Sequence, residues 1–439
     1  MNKEKSELKK QVSTFEAATM VVGVVIGSGI FFKASAVFAD SGTPLLGVLT
    51  WLVAGLITMA AALTFAEISV AFPKTGGQFV YIKELYGEKW AFAYGWIQAF
   101  VQVPAVCAAL FLMTSTALTA FFDLSDFQIQ LIAFAMLIFV TAMQMYSTNL
   151  GSKTQMIVTV AKMVPIIFII IFGIFNGDVS PSYNVVSKGA SEVSFSGFGA
   201  AILGVLWAYE GWQGVGNMAG ELKNPAKSLP RSIFWGMLTI IISYVLINIA
   251  MIYVLPVDQI IASKMPATEV AVKLFGNFGA DLISAGILIS VFGAANGYFL
   301  VGSRFPYAMA QENLFIFPRF FRKVNERFNT PVNAIVLQLI LCSIYIFAGT
   351  LQSITNMVVF VVWLFSVLVV AGIFILRKKF SHIERSYKVP LYPIVPIIGM
   401  IGGSYIIFSS LFNDTKNALY GIFMTLISFP IYYWIKRKK

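Results

Sequence analysis

The chain has 439 residues, of which 58% are hydrophobic and only 12% charged, a balance outside the range of soluble domains. Its formal net charge of +11 invites a reading as a binder of nucleic acid or anions, while one histidine and two cysteines leave no metal-ligand spacing and no cofactor motif. An enzyme would need a convergent set of His, Asp or nucleophilic side chains, and none is legible.

Apolar runs long enough to cross a bilayer core of about 30 Å recur along the whole length. Twelve are read, over 14–39, 43–70, 89–119, 127–147, 153–176, 196–219, 231–255, 280–303, 332–349, 352–376, 392–412 and 418–435. They leave no room for a soluble domain, so residues 1–439 read as one transmembrane unit. With the N-terminus inside, the inner regions hold 25 of the 31 Lys and Arg residues, and the outer loops hold four: Lys188, Lys264, Lys273 and Lys416. That asymmetry is the positive-inside rule. It predicts cytoplasmic N- and C-termini and an even number of spans in the cell membrane. It also assigns the basic balance to topology and to contact with anionic lipid, not to nucleic acid.

The first span reads Val21-Val22-Gly23-Val24-Val25-Ile26-Gly27-Ser28-Gly29-Ile30-Phe31. Ala34-Ser35-Ala36 behind it resembles a signal-peptidase site, but the run is too long and Lys33 stands in front, so the helix is read as retained. Glu67 lies near the inner end of span 2 and reads as part of an inner gate. Pro73-Lys74-Thr75-Gly76-Gly77-Gln78 then makes a turn. Cys107 and Cys342 each sit well inside a span. Span 5 carries Lys162 near its middle, where a charge faces a cavity or a partner.

Span 6 reads Trp207-Ala208-Tyr209-Glu210-Gly211-Trp212-Gln213-Gly214-Val215-Gly216. Like span 1, it is broken by glycine. Unpaired backbone in hydrocarbon costs several kcal/mol per group, so both breaks must line a cavity or hold something. Two such spans in corresponding halves point to a transporter's substrate site. Gly27 and Gly211 stand 184 residues apart, giving two five-span repeats (14–176 and 196–376) of inverted topology, followed by two extra helices (392–435). Asn224-Pro225 initiates a turn in the loop Glu221 to Arg231 and Pro230 is expected to open the next helix, and His382 falls in a basic loop as a solvated residue.

Gly27-Ser28-Gly29-Ile30-Phe31, the Pro73 to Tyr81 loop, the Glu221 to Arg231 loop and Val389-Pro390-Leu391-Tyr392-Pro393 resemble the amino acid–polyamine–organocation (APC) superfamily along essentially the whole chain. Tyr209, Gly211, Trp212 and Lys162 look most like its L-amino acid transporter branch, and the bacterial serine/threonine exchangers within it. The resemblance implies an all-α integral membrane protein of LeuT-type fold, a 5+5 inverted repeat with 12 transmembrane helices of which helices 1 and 6 unwind in the middle.

An amino acid carries a carboxylate and an ammonium on one carbon. Free N–H groups at Gly27, Ser28 and Gly29, opening the outer half-helix, suit the carboxylate. The carbonyl of Val25, with those near Trp207, Ala208 and Glu210, suits the ammonium, and Ile26 between them belongs to the same substrate-binding stretch. Close packing through small residues is the competing reading of the glycines, disfavoured by G-S-G spacing in this context. The resemblance also implies that Trp207 is an aromatic gate limiting side-chain size, favouring serine, threonine, alanine or glycine. It further implies that Lys162 stands in for the cation of sodium-coupled relatives, donating to carbonyls near Gly23 and making transport sodium-independent. Gly211 and Tyr209 complete the second break.

Glu210 departs from the branch, which often has glycine there. It leaves open protonation during the cycle, pairing with a lysine, contact with ligand ammonium, or a structural role. Phe79 and Gln311 are smaller departures. The span 3–4 loop lacks the cysteine by which animal members bond a heavy subunit, so no such partner is expected and the chain is read as a monomer. The function implied is sodium-independent exchange or facilitated transport of small neutral L-amino acids by alternating access, with proton-coupled symport as the alternative.

Overall fold

The computed structural model describes residues 13–72, 77–146, 151–214, 222, 224–302, 304–325 and 330–437. Pro73 to Gly76 of the first loop motif, and Val215, Gly216, Glu221 and Lys223, lie outside the described residues. The chain forms α1 Thr14–Val25, α2 Gly29–Phe32, α3 Ala34–Ser41, α4 Pro44–Ala71, α5 Gly77–Tyr86 and α6 Glu88–Ile97. A π-helical turn, Gln98–Gln102, leads into α7 Val103–Ala117, α8 Asp126–Tyr146, α9 Gly151–Asn176 and α10 Phe195–Ala208. Then follow α11 Pro225–Val254, α12 Val257–Ala262, α13 Pro266–Gly302, α14 Arg304–Gln311 and α15 Pro318–Phe321. The last four are α16 Val332–Ala348, α17 Leu351–Lys379, α18 Ile394–Asn413 and α19 Thr415–Arg437. Among the described residues there is no strand beyond one isolated bridge, Asn325 to Thr330.

Among the described residues, seven helices are long and apolar enough to cross a membrane, and the bent run from Ala17 to Ser41 makes an eighth. Four shorter apolar helices, Lys162–Asn176, Phe195–Ala208, Ile283–Phe299 and Val332–Ala348, occupy the remaining apolar stretches. The protein is a multi-pass membrane protein whose described spans are all helical, because helices satisfy their own backbone in hydrocarbon. Thr43, Ser194 and Thr350 cap α4, α10 and α17, their hydroxyls accepting from the N–H groups of Leu46, Gly197 and Ser353. Each cap satisfies a backbone donor that the first turn leaves free.

Two packing groups frame the interior. Helix α11 packs on α1 and α4, and α10 on α4; α7 packs on α8, α13 and α16. The run Glu88–Ala117 is 94% buried across its apolar window, whereas Asp126–Met145 and Thr415–Arg437 are 28% buried. The first is therefore enclosed by protein and the other two form the rim.

The enclosed run is also where the helix widens. Pro104 has no N–H, so it cannot pair with the carbonyls of Ala99 or Phe100 behind it. Both are satisfied from α16, Ala99 O by Gln338 Nε2 at 2.8 Å and Phe100 O by the Tyr345 hydroxyl at 3.2 Å. A π turn of this kind inside an α-helix commonly marks a functional region.

At the end bearing the C-termini of α4 and α17, Glu67 is fully buried. Its carboxylate accepts from Arg377 Nη2 at 2.8 Å, Arg377 Nε at 3.1 Å and the Val389 N–H at 2.7 Å, with Arg385 Nη1 at 3.5 Å. Arg377 also stacks over the Tyr392 ring, 3.6 Å from its centroid. The residues Val389 to Tyr392, singled out in the sequence as a motif, thus take part in a clamp between two long helices.

Candidate functional site

Helix α1 stops at Val25 because Gly27-Ser28-Gly29 follows, where glycine lowers the cost of leaving helical geometry. The Ile26 N–H still reaches Val22 O at 2.9 Å, the last bond of that helix. The N–H groups of Gly27, Ser28 and Gly29 have no acceptor among the described residues. Chain direction resumes in α2, which has only four residues before a bend at Lys33. The N–H groups themselves, more than a long-helix dipole, are what this end offers an anion.

The second break stands directly against the first. A Cβ on Gly29 would lie 2.4 Å from Ala208 Cα, so only glycine permits this approach. Gly211 has φ +111°, in the region that favours glycine, and a Cβ there would meet Val24 Cγ1 at 2.7 Å. The break in α10 therefore faces the end of α1, with backbone against backbone.

Between them lies a cavity of about 40 Å³, the space open to the centre of a water molecule. It is lined by Val24, Val25, Gly27, Ser28, Gly29, Val106, Leu110, Trp207, Glu210, Ala294 and Tyr298. One water needs about 10–15 Å³ on that measure, so the space suits only a small solute. Trp207 is buried and its indole Nε1 donates to Ser28 Oγ at 3.4 Å, joining the two broken helices across one side. Glu210 accepts from Gln102 Nε2 at 3.3 Å, and Gln102 in turn accepts from Gln98 Nε2 at 2.6 Å. Both amides belong to the π turn.

Of the residues predicted to bind substrate, Val25, Gly27, Ser28, Gly29, Trp207 and Glu210 line this cavity. Ile26, Ala208 and Gly211 do not; Ala208 packs on Gly29 and Gly211 on Val24. Tyr209 is also outside it, fully buried, its hydroxyl donating to Trp51 O at 3.0 Å. Lys162 is buried, and its ammonium donates to the Gly23 carbonyl. No carboxylate pairs with it among the described residues.

Sequence reasoning missed Tyr244. Its hydroxyl lies 3.1 Å from Val25 O and 2.7 Å from Ala208 O, sharing one proton between the carbonyls of both breaks. Its ring packs edge-on against Trp51 and Tyr209, centroids 5.3 and 5.0 Å away. A tyrosine amid the apolar run of α11 was the available signal, since a buried hydroxyl must find a partner. Val106, Leu110, Ala294 and Tyr298 carry no local signal at all. Among the described residues no group of three or more His, Cys, Asp or Glu side chains could hold a metal. Cys107 and Cys342 are free and buried.

The cavity brings backbone N–H groups without an acceptor among the described residues and a buried aromatic together between two broken helices of a multi-pass membrane protein. A family model described as amino acid permease matches residues 12–435. The serine/threonine exchanger SteT of Bacillus subtilis (strain 168) is 36% identical over 440 residues, covering 100% of both chains. The human cystine/glutamate transporter is 28% identical over 99% of this chain and 88% of its own. The mouse b(0,+)-type amino acid transporter 1 is 28% identical over 98% and 88%. The chain belongs to the amino acid permease family, within the APC superfamily, whose members carry amino acids across membranes and are not enzymes.

Proposed function

We propose that this protein is a secondary transporter that exchanges or facilitates small neutral L-amino acids of the serine, threonine and alanine type, without sodium, by alternating access. The observation that supports the reading is the cavity lined by Gly27, Ser28 and Gly29, whose N–H groups have no acceptor among the described residues, together with Trp207 and Glu210 of the second break. The α-carboxylate sits on the Ser28 and Gly29 amides, and the ammonium shares the Val25 carbonyl with those of the second break near Trp207, Ala208 and Glu210; Val25 O and Ala208 O are also the two partners of the Tyr244 hydroxyl. Trp207 limits the side chain. The Lys162 ammonium on Gly23 O occupies the place of a coupling cation. Similarity to a serine/threonine exchanger supports the substrate class.

In this reading the twelve apolar segments are two inverted five-helix repeats plus two helices, both termini are cytoplasmic in the cell membrane, and the transporter is a monomer without a disulfide-linked heavy subunit. The group α1, α4, α10 and α11 rocks against α7, α8, α13 and α16, bending at the glycine breaks. Counterflow in proteoliposomes tests it. Internal L-serine should drive uptake of labelled L-serine, blocked by external threonine and alanine but not by leucine or phenylalanine. Absence of flux with folded protein would sink the reading.

Proton-coupled symport is the second reading, favoured by Glu210 in the cavity wall with Gln102 as its donor. Uptake that follows an imposed pH gradient, with no amino acid inside the vesicle, would select it over exchange.

A further inference from the structure

The first span is broken a second time, at Lys33, and nothing in the binding site uses that residue. The axis turns by 63° between Ala17–Phe32 and Ala34–Ser41. Lys33 follows the cavity-lining Gly29 by one turn, its N–H bonded to Gly29 O at 2.9 Å. Its side chain is only 3% exposed, and its ammonium crosses to α17, where Gln352 Oε1 lies at 3.0 Å and Thr355 Oγ1 at 2.7 Å. An ammonium donates only, so Gln352 must present its oxygen to Lys33 and its NH₂ elsewhere. That NH₂ donates to Asn356 Oδ1 at 3.1 Å, and Asn356 Nδ2 donates to Asp414 Oδ2 at 3.1 Å. Asp414 also accepts from Asn417 Nδ2 at 2.8 Å, at the junction of α18 and α19.

The positive charge on the broken helix and the negative charge of Asp414 are thus joined head-to-tail by two amides, each oriented by the one before it. A charge in the membrane interior is costly and is held only where it is satisfied. Motion of α2 and α3 away from α17 must leave Lys33 and Thr355 buried without each other, or admit water to them, and release Lys33 from the exposed Gln352.

We infer that Lys33, Gln352, Asn356 and Asp414 form a latch that holds the outer part of the first broken helix against α17 and closes the substrate cavity on that face. Lys33 is a positioning residue: it acts on the Ser28 and Gly29 amides by fixing the turn that follows them. The inference rests on the transport reading above for its meaning, but its test reads accessibility and not flux.

The reporter is Leu110→Cys, facing the cavity, in a Cys107→Ala, Cys342→Ala background. It is labelled with a membrane-impermeant methanethiosulfonate in vesicles of each orientation. Lys33→Met, which removes both charge-assisted hydrogen bonds of the ammonium, should raise the labelling rate by about tenfold or more. The acceptor-side double variant Gln352→Leu, Thr355→Val should do the same, and it carries the test alone if Lys33→Met does not fold. Asp414→Asn should give a smaller rise. The increase should appear only from the face bearing Lys188 and Asp414. Unchanged rates in folded variants would overturn the latch, and so would an increase only from the face bearing Glu67 and Arg377. If the variants open but the wild type moves no amino acid, the transport reading fails and the latch stands.

Discussion

Gly29 is where α2 meets α10, and any side chain there displaces Ala208. Gly29→Val should abolish ligand binding while leaving the protein folded; substrate-induced thermal stabilisation, present in wild type and lost in the variant, checks this. Lys162→Ala should reduce transport by about tenfold or more, because Gly23 O loses its charged donor in a buried place; wild-type uptake in that variant would refute the role assigned to the lysine. Tyr244→Phe leaves two carbonyls to share no proton, at a cost of about 1–3 kcal/mol for a buried group left unmade. A lower melting temperature together with a raised KM is expected, since the same carbonyls are assigned to the ammonium; a lower melting temperature at unchanged KM would separate Tyr244 from ligand binding. At this scale the sequence is informative wherever chemistry is carried by the chain itself. Gly27, Ser28, Gly29, Trp207 and Glu210 are legible because a break in an apolar run is a local fact. Val106, Leu110, Ala294 and Tyr298 are ordinary residues of apolar runs, and only helix packing turns them inward.

Among the elements, the break in span 1 differs from its expected form. The expected outer half-helix is a four-residue turn, α2, followed by a bend into α3. The bend falls at Lys33, a residue that reads from sequence only as a stray charge in a span. The π turn was not anticipated either, although Pro104 marks where the α-ladder must fail. Glu67 was read as belonging to an inner gate, and the structure places it under Arg377 and Arg385, tying α4 to α17 and to the segment that follows. Glu67→Gln leaves those arginines without their counter-charge, and breaking a buried pair costs about 3–5 kcal/mol. Thermal unfolding in detergent should show a large drop, partly restored by adding Arg385→Gln. An unaltered midpoint would mean that the clamp contributes nothing to stability.

For the whole molecule, the charge distribution and the helix order make one statement about sidedness. Lys188 lies in the segment between α9 and α10, and Arg319 on α15 beyond α13. Single cysteines at these positions should be labelled by an impermeant reagent from opposite faces, position 188 from outside intact cells and position 319 only after permeabilisation. Labelling of both from one face would overturn the twelve-span orientation. The sequence by itself determined where glycine interrupts the apolar runs and which loops carry positive charge, because each of these is settled within a few neighbouring residues. Helix starts were less legible, α11 beginning at Pro225 with Pro230 inside it and α13 at Pro266, ahead of the expected 231 and 280. Only the tertiary structure decided what the interruptions face. Lys162 meets Gly23 from 139 residues away, Trp207 meets Ser28 from 179 and Lys33 meets Gln352 from 319. Pairings at such separation follow from helix packing, and a buried donor takes whichever acceptor that packing brings to it.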